Sequence, residues 1–157
     1  MDANNAGNML TRQSHTGIII FFNNSPIIWY SKRQNTVESS SFGSKFIALR
    51  IATEMIEGLR YKLRMFGVPI NGPAGVFCYN RSVVTNVSIP SFILNKKLDS
   101  ICYHRFLGAH TSGTIRVGWI LGEYNKSDIG TKTKIHTKRR YELLNSIFNE
   151  KVSTITK

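Results

Sequence analysis

The longest regular pattern of apolar and polar residues lies between residues 41 and 66. Its apolar residues recur at intervals of three and four, which predicts one long α-helix with a single buried face. These residues are Leu49, Ala52, Ile56, Leu59, Leu63 and Phe66. Serines precede the segment as candidate N-caps, and Gly67 and Pro69 follow it as stop signals. Lys45 continues the apolar stripe into the first turn. Its ammonium is therefore expected either to face the core at a pairing site or to reach water past the helix end.

Shorter patterns on both sides of this helix predict an α/β fold. Strands are predicted at 17–22, 27–30, 75–79 and 114–120, and further helices at 80–86, 95–107 and 141–148. The first two strands are separated by turn residues, which indicates an antiparallel hairpin. Residues 2–13 are predicted to be a polar loop and residues 32–35 a basic turn. The long helix suits a crossover to a parallel strand, so we expect a mixed sheet with helices on its faces.

The excess of basic over acidic residues indicates which class of partner the chain favours. Among the 157 residues, 21 are Lys or Arg and 9 are Asp or Glu, which gives a net charge of +12. This excess favours nucleic acid as partner, with an anionic membrane or solubility alone as the alternatives. The length predicts a single domain over residues 1–150, followed by a polar tail at 151–157.

The cysteines and the N-terminus indicate an intracellular protein. Cys78 and Cys102 have neither a disulfide framework nor metal-ligand spacing, and both are expected to be buried free thiols in a reducing compartment. No apolar stretch approaches the length of about 18 residues that a membrane span requires, and no signal peptide is recognisable. The four histidines are scattered, and none has the spacing of a zinc site.

Five motifs then occur in a fixed order along the chain. They are DANNAG with RQSHTG at 2–17, WYSKRQNTVE with SSFGSKFIAL at 29–49, FCYNRS at 77–82, YHR at 103–105 and KSDIGTK at 126–132. Together they resemble the RNase H region of copia-type retrotransposon polyproteins, and the similarity extends from Asp2 to about Phe148. The resemblance implies an RNase H-like fold, a five-stranded mixed sheet flanked by helices. It also implies four carboxylates that hold two Mg²⁺ ions and cleave the RNA strand of an RNA–DNA hybrid.

Two of the four acidic positions of that family differ in this chain. Asp2 stands at the first family aspartate and Asp128 at the last. Lys45 replaces the helix glutamate, and Tyr79 replaces the aspartate that ends the crossover strand. The resemblance therefore implies a degenerate copy with impaired or absent catalysis. At most one Mg²⁺ is expected, bound weakly through water by Asp2 and Asp128.

The resemblance also indicates that the first strand is incomplete. The first aspartate of the family lies inside its central strand, whereas here it is the second residue. We therefore expect a truncated first strand. The chain is expected to be a remnant or fragment of a longer polyprotein, in which a reverse-transcriptase region is a partner.

Two alternatives remain beside the degenerate RNase H domain. The first is a noncatalytic nucleic-acid-binding module. Its candidate contacts are Lys32, Arg33, Asn80, Arg81, Lys96, Lys97, Arg105 and Lys132. Trp29, Tyr30 and Trp119 are candidates for base stacking, although core packing is the favoured interpretation. The second alternative is a working ribonuclease H with a rearranged site, in which Glu38 substitutes for a lost acid.

Overall fold

The computed structural model describes residues 1–87, 97–132 and 136–148 and confirms the α/β class. The strands are β1 (Asp2–Asn4), β2 (His15–Phe22), β3 (Ser25–Arg33), β4 (Ala74–Cys78) and β5 (Ile115–Trp119). The α-helices are α1 (Ser41–Met65), α2 (Arg81–Val87), α3 (Lys97–Thr111) and α4 (Thr137–Phe148), and 3₁₀ helices cover Gly122–Tyr124 and Lys126–Gly130. Lys96 and the predicted tail at 151–157 lie outside the described residues, as does the side chain of Lys97.

The strands form two hydrogen-bonded groups. β1, β2 and β3 make an antiparallel sheet in that order, and β4 pairs in parallel with β5. Because no strand pairing joins the two groups within the described part of the chain, the expected single five-stranded sheet is not confirmed. One bond does connect them, since the α-ammonium of Met1 donates to the Phe77 carbonyl over 2.8 Å. The parallel partner of β4 is reached through α2 and α3, and not through α1 as the sequence predicted.

Two loop predictions are wrong. Residues 2–4 form β1 and not a loop, because they pair with β2 from Gly17 to His15. Lys32 and Arg33 belong to β3 and not to a turn, because they continue the register opposite Thr16 and His15. In both places tertiary pairing overrides a polar local sequence.

Helix α1 supplies the centre of the core. It begins after Ser40, whose side chain accepts a hydrogen bond from the backbone N–H of Gly43 over 3.1 Å. Leu49, Ala52 and Ile56 are buried, and each fully buried large aliphatic side chain stabilises the fold by roughly 2 kcal/mol. The predicted stripe does not stay buried to its end, because Phe66 is 82% exposed beyond the last turn.

The remaining core agrees with the sequence. Cys78 and Cys102 are both buried thiols outside any disulfide, as predicted. Phe106 and Ile115 are fully buried in the same apolar cluster. None of the helices in the described ranges combines the length and the apolarity that crossing a lipid bilayer requires.

Candidate functional site

Lys45 lies at the centre of a buried polar cluster. Its side chain is 3% exposed, so the alternative in which it reaches water past the helix end is wrong. Nζ donates to the Ala3 carbonyl at 2.8 Å, to the Tyr79 hydroxyl at 2.8 Å and to Asp2 Oδ1 at 3.3 Å. An ammonium has three N–H donors, and here each has an acceptor. Lys45 is therefore held in one geometry by acceptors from two parts of the chain, β1 and the end of β4.

The charge of Lys45 is retained despite burial. Burial alone lowers the pKa of a lysine because it disfavours the charged form. The negative charge of Asp2 and the hydrogen bonds to Tyr79 and Asp2 outweigh that effect, and the pKa of Lys45 lies above its ordinary value. The ammonium is also 4.3 Å from the centroid of the Tyr79 ring, a favourable cation–π distance.

The two remaining acids already have partners. Asp2 Oδ2 accepts a hydrogen bond from the Thr131 hydroxyl at 2.7 Å, while its other oxygen faces Lys45. Asp128 Oδ2 accepts from Lys132 Nζ at 2.5 Å, and Oδ1 accepts from the Asn125 amide at 3.4 Å. All four carboxylate oxygens are thus engaged by protein donors.

Burial controls the protonation of Asp128. Its pKa lies above the ordinary value because burial disfavours the carboxylate, and the negative charge of Asp2 acts in the same direction. The hydrogen bond and positive charge of Lys132 oppose this rise. The Lys132 side chain is 53% exposed, so this pair lies at the solvent side of the cluster.

A close backbone approach places Asp128 against the sheet. Asp128 lies in the 3₁₀ helix Lys126–Gly130, which begins after Asn125, whose side chain accepts from the Ser127 N–H. This helix packs on β2 at Gly17, where an added Cβ would lie 2.6 Å from the Ser127 carbonyl oxygen. A side chain at position 17 would clash there, so glycine at this position allows the 3₁₀ helix that carries Asp128 to pack closely on β2.

The four positions singled out from the sequence therefore meet. Lys45 contacts Asp2 and Tyr79 directly, and Asp128 interacts with Asp2. The sequence reasoning missed Thr131 as the partner of Asp2 and assigned Lys132 to nucleic acid alone. The spacing of Lys132 four residues after Asp128 is the signal that indicates their ion pair.

The α-amino group of Met1 is also buried near this cluster. Met1 is 7% exposed, and burial lowers the pKa of its ammonium, although Cys78, Asp2 and Asp128 act in the opposite direction. Among the described residues, no three His, Cys, Asp or Glu side chains are grouped in a way that would hold a metal ion. Glu38, which is buried just before α1, therefore belongs to no such group among the described residues.

Four of the predicted nucleic-acid contacts lie at or just after the ends of strands, and we name these four residues together with His15 the basic edge. It consists of Lys32 and Arg33 at the end of β3, His15 opposite Arg33 on β2, and Asn80 and Arg81 after β4. The cluster lies between these two parts, because β1 pairs with β2 on one side and Lys45 bridges to Tyr79 on the other.

An aromatic side chain supports the β4 end of the basic edge. The Arg81 guanidinium lies 4.3 Å from the centroid of the Trp119 ring. The Trp119 indole N–H donates to the Tyr79 carbonyl at 2.9 Å, which fixes the ring in turn. Trp119 is 38% exposed, so its ring packs against Arg81 and is also accessible to a ligand.

Two other predicted nucleic-acid contacts, Arg105 and Lys132, already form ion pairs within the protein. Arg105 forms an ion pair with Glu57 on α1, and Lys132 is paired with Asp128. The expectation of core packing is wrong for Trp29, which is 74% exposed on β3, whereas Tyr30 is partly buried.

Comparison with known proteins relates the chain to mobile genetic elements. No family model matches it. It is 25% identical over 131 residues to the retrovirus-related Pol polyprotein from transposon RE2 of Arabidopsis thaliana, which covers 83% of this chain and 9% of that protein. It is 26% identical over 131 residues to the corresponding polyprotein from transposon RE1, with the same coverage. The chain is thus related to retrotransposon polyproteins and spans only a small part of their length.

Proposed function

We propose that this protein is a retrotransposon-derived RNase H-like domain that binds nucleic acid along the basic edge and does not hydrolyse it through two Mg²⁺ ions. The observation that carries the proposal is the bonding of Lys45, whose buried ammonium contacts Asp2, Ala3 and Tyr79. This ammonium provides positive charge inside the acidic cluster, where the resemblance implies a metal ion.

The charge count of the cluster supports this proposal. In the family that the chain resembles, four carboxylates offset the charge of two Mg²⁺ ions. Here Asp2 and Asp128 contribute two negative charges, and Lys45 and Lys132 contribute two positive ones. A unit charge about 4 Å from a divalent ion meets roughly 8 kcal/mol of repulsion at an effective dielectric constant of about 20. The neutral cluster therefore provides no attraction that would offset the dehydration of Mg²⁺.

The ligand atoms also fail to suit the metal. Magnesium is held in proteins chiefly by carboxylates, water and phosphate oxygens in octahedral geometry. Both oxygens of Asp2 and both of Asp128 already accept hydrogen bonds, and Tyr79 presents a phenol that accepts from Lys45. The described donor set does not fit a two-metal site, and we derive no hydrolytic step from it.

The basic edge favours a polyanionic ligand. The net charge of +12 attracts nucleic acid at long range, and guanidinium and ammonium groups neutralise phosphates on contact. The Arg81–Trp119 pair adds an aromatic surface beside the cations. An RNA–DNA hybrid is the ligand that the resemblance implies.

The test combines binding with cleavage. Fluorescence anisotropy with a labelled RNA–DNA hybrid is expected to show binding whose log affinity falls linearly with log salt concentration. Arg81→Gln should weaken binding several-fold and reduce the salt slope by about one. Lys62→Gln, which removes an exposed charge at the far end of α1, is the matched control and should change affinity much less.

The cleavage assay separates this proposal from a working ribonuclease H with a rearranged site. We expect no cleavage of the hybrid in Mg²⁺ or Mn²⁺. Turnover that Asp2→Asn abolishes would establish the active enzyme instead. Salt-insensitive binding, or equal effects of the Arg81 and Lys62 substitutions, would contradict the basic edge as the interface.

A further inference from the structure

The outer edge of β3, on the side away from β2, is an open strand edge. β3 is the last strand of the antiparallel sheet, and no strand in the described ranges pairs with this outer edge. β1 lies on the opposite side of β2, so the outer edge of β3 is separate from the N-terminal part of the sheet. The backbone groups along it are therefore available to an added strand.

The register between β2 and β3 shows which residues point outward. The Gln34 N–H donates to the Ser14 carbonyl over 2.8 Å, which continues the pairing of the two strands by one residue. The direction of the backbone groups alternates along an antiparallel strand. Since Gln34 points toward β2, the N–H and carbonyl groups of Arg33, Ser31 and Trp29 point toward the outer edge.

The regular part of this edge is short. Pro26 has no backbone N–H to donate, and the register with β2 shifts between Ile20 and Phe21, which interrupts the alternation near the start of β3. The regular part of the outer edge therefore extends from Trp29 to Arg33, roughly 16 Å at about 3.3 Å per residue. This length suits a short added strand.

The side chains divide the outer edge of β3 into an apolar end and a basic end. Trp29 is 74% exposed, and beside it an apolar groove of about 330 Å³ lies between β3 and α4. Leu144 and the exposed Phe148 line the α4 side of this groove. Lys32 and Arg33 are exposed at the other end. A ligand that matches the whole edge therefore has apolar side chains near Trp29 and negative charge near Arg33.

We propose that the outer edge of β3 binds an extended segment of another polypeptide, which adds to the sheet as an antiparallel strand. The segment has an acidic N-terminal end and an apolar C-terminal end. In the antiparallel direction its first residues lie beside Arg33 and Lys32, and its last residues lie beside Trp29. Backbone hydrogen bonds supply the affinity of an added strand, and the side chains at the two ends supply the specificity.

Charge favours an acidic segment over a second copy of this chain. Cations on an edge strand are a common device against pairing between identical edges. The chain carries a net charge of +12, so two copies also repel each other at long range. An acidic segment is attracted by the same charge and complements Lys32 and Arg33 on contact.

The binding test uses the full ¹⁵N-labelled chain, freed of nucleic acid, and an NMR titration. The probe is acetyl-Glu-Glu-Thr-Val-Ile-Ser-amide, whose first five residues are placed opposite residues 33 to 29 in turn. We expect saturable binding, with the largest amide shifts at Trp29, Ser31 and Arg33. The peptide of reversed sequence has the same composition and charge and should bind at least tenfold more weakly. Equal binding of the two peptides would overturn the proposal, as would no binding of the first.

Methylation of single peptide nitrogens tests the backbone pairing itself. The threonine opposite Ser31 directs its N–H toward β3, whereas the next residue, the valine opposite Tyr30, directs its N–H away from β3. N-methylthreonine should therefore weaken binding at least tenfold. N-methylvaline is the matched control and should weaken binding twofold at most. Equal losses from the two methyl groups would show that side chains alone make the contact and would overturn the added strand.

Protein variants locate the apolar and basic ends. Trp29→Gln and Arg33→Gln should each weaken binding of the probe about fivefold. The controls Tyr61→Gln and Arg64→Gln make the same kinds of change at exposed positions of α1 and should leave binding unchanged. If Trp29→Gln impairs folding, the comparison of the two methylated peptides on the unaltered chain decides. Equal effects of the β3 and α1 substitutions would overturn the proposed location.

A second copy of the chain is the competing occupant of the outer edge of β3. Sedimentation at increasing protein concentration is expected to show a monomer, with or without the probe. A dimer that Trp29→Gln dissociates and the probe does not would overturn the proposal in favour of pairing between two copies. The hybrid-binding assay at Arg81 is separate, so its failure would contradict the proposed function and leave the result for the peptide standing.

Discussion

Lys45 is a buried charge whose partners come from β1 and from the end of β4. The sequence predicted its inward orientation because it lies four residues before Leu49 on the apolar stripe. Its partners followed only from the resemblance, since helical spacing contains no information about distant strands. Thr131, which donates to Asp2, had no sequence signal at all, because a lone hydroxyl in a turn is common.

Removal of the Lys45 charge should be strongly destabilising. Lys45→Met leaves Asp2 buried and without its cation, and we expect a loss of about 3–5 kcal/mol in the free energy of unfolding. Adding Asp2→Asn to the same chain should recover part of this loss, because the uncompensated charge disappears. Urea unfolding of both single variants and the double variant gives the coupling energy. Lys62→Met is the control, and an equal loss there would contradict a specific role of Lys45.

The buried thiol of Cys78 should be nearly inert in the folded protein. Burial raises its pKa, against the opposing effects of the Asn80 N–H and the Met1 ammonium, and the thiolate is the reactive form. In a Cys102→Ala background, reaction with an aromatic disulfide reagent should be about a thousandfold slower in native buffer than in urea. Because the unfolded thiol ionises first, stability should also fall as the pH rises above the ordinary value of 9.0. Rapid native labelling would contradict the burial.

At the level of elements, local sequence predicted the long pieces well and the short pieces poorly. The periodicity of α1 identified 25 residues of helix almost to the residue. β1 has three residues, one of them Asn, and its existence depends on pairing with β2, which no local pattern encodes. Phe66 continues the helical period but follows the last residue of α1 and is exposed, so the stripe predicted burial at a position where the side chain is not buried.

Gly17 should be essential to the contact between β2 and the 3₁₀ helix Lys126–Gly130. An added Cβ would lie 2.6 Å from the Ser127 carbonyl and 2.8 Å from Thr131 Cγ2, so one of the two elements must move. We expect Gly17→Ala to cost about 1–3 kcal/mol in stability. Gly58→Ala is the control, since nothing lies within 4 Å of its Cβ and alanine favours a helix by up to about 1 kcal/mol. Thermal unfolding should therefore show Tm changes of opposite sign.

At the scale of the whole molecule, the arrangement of the site depends on both sheets and on the long helix between them. The α/β class could be predicted from the order of the helix and strand patterns. The meeting of the four family positions could be predicted from the resemblance, because its motifs occur in the same order along the chain. The separation into a three-stranded sheet and a strand pair could not be predicted, since it depends on backbone pairing and not on side-chain pattern. Tyr79 lies partly buried between the two groups and joins them through Lys45.

Restoring the acids should convert the cluster into a metal-dependent one. In the variant Lys45→Glu with Tyr79→Asp, four carboxylates converge with Asp2 and Asp128, and their mutual repulsion should lower stability when metal is absent. Mg²⁺ then binds the folded state preferentially, so Tm should rise with metal concentration according to mass action. The unaltered chain should give the same Tm in Mg²⁺ and in chelator, because Lys45 already supplies the positive charge.

Lys62→Glu is a control for that experiment, because it makes the same lysine-to-glutamate change as at position 45, but on an exposed turn of the same helix. It should show no dependence of Tm on Mg²⁺. If the unaltered chain were stabilised by Mg²⁺ as strongly as the double variant, Lys45 would not be replacing a metal ion. If the double variant folded but ignored Mg²⁺, the four positions would not form a metal site in this fold. Hybrid cleavage by the metal-bound double variant would show in addition that the substitutions at Lys45 and Tyr79 account for the loss of hydrolysis.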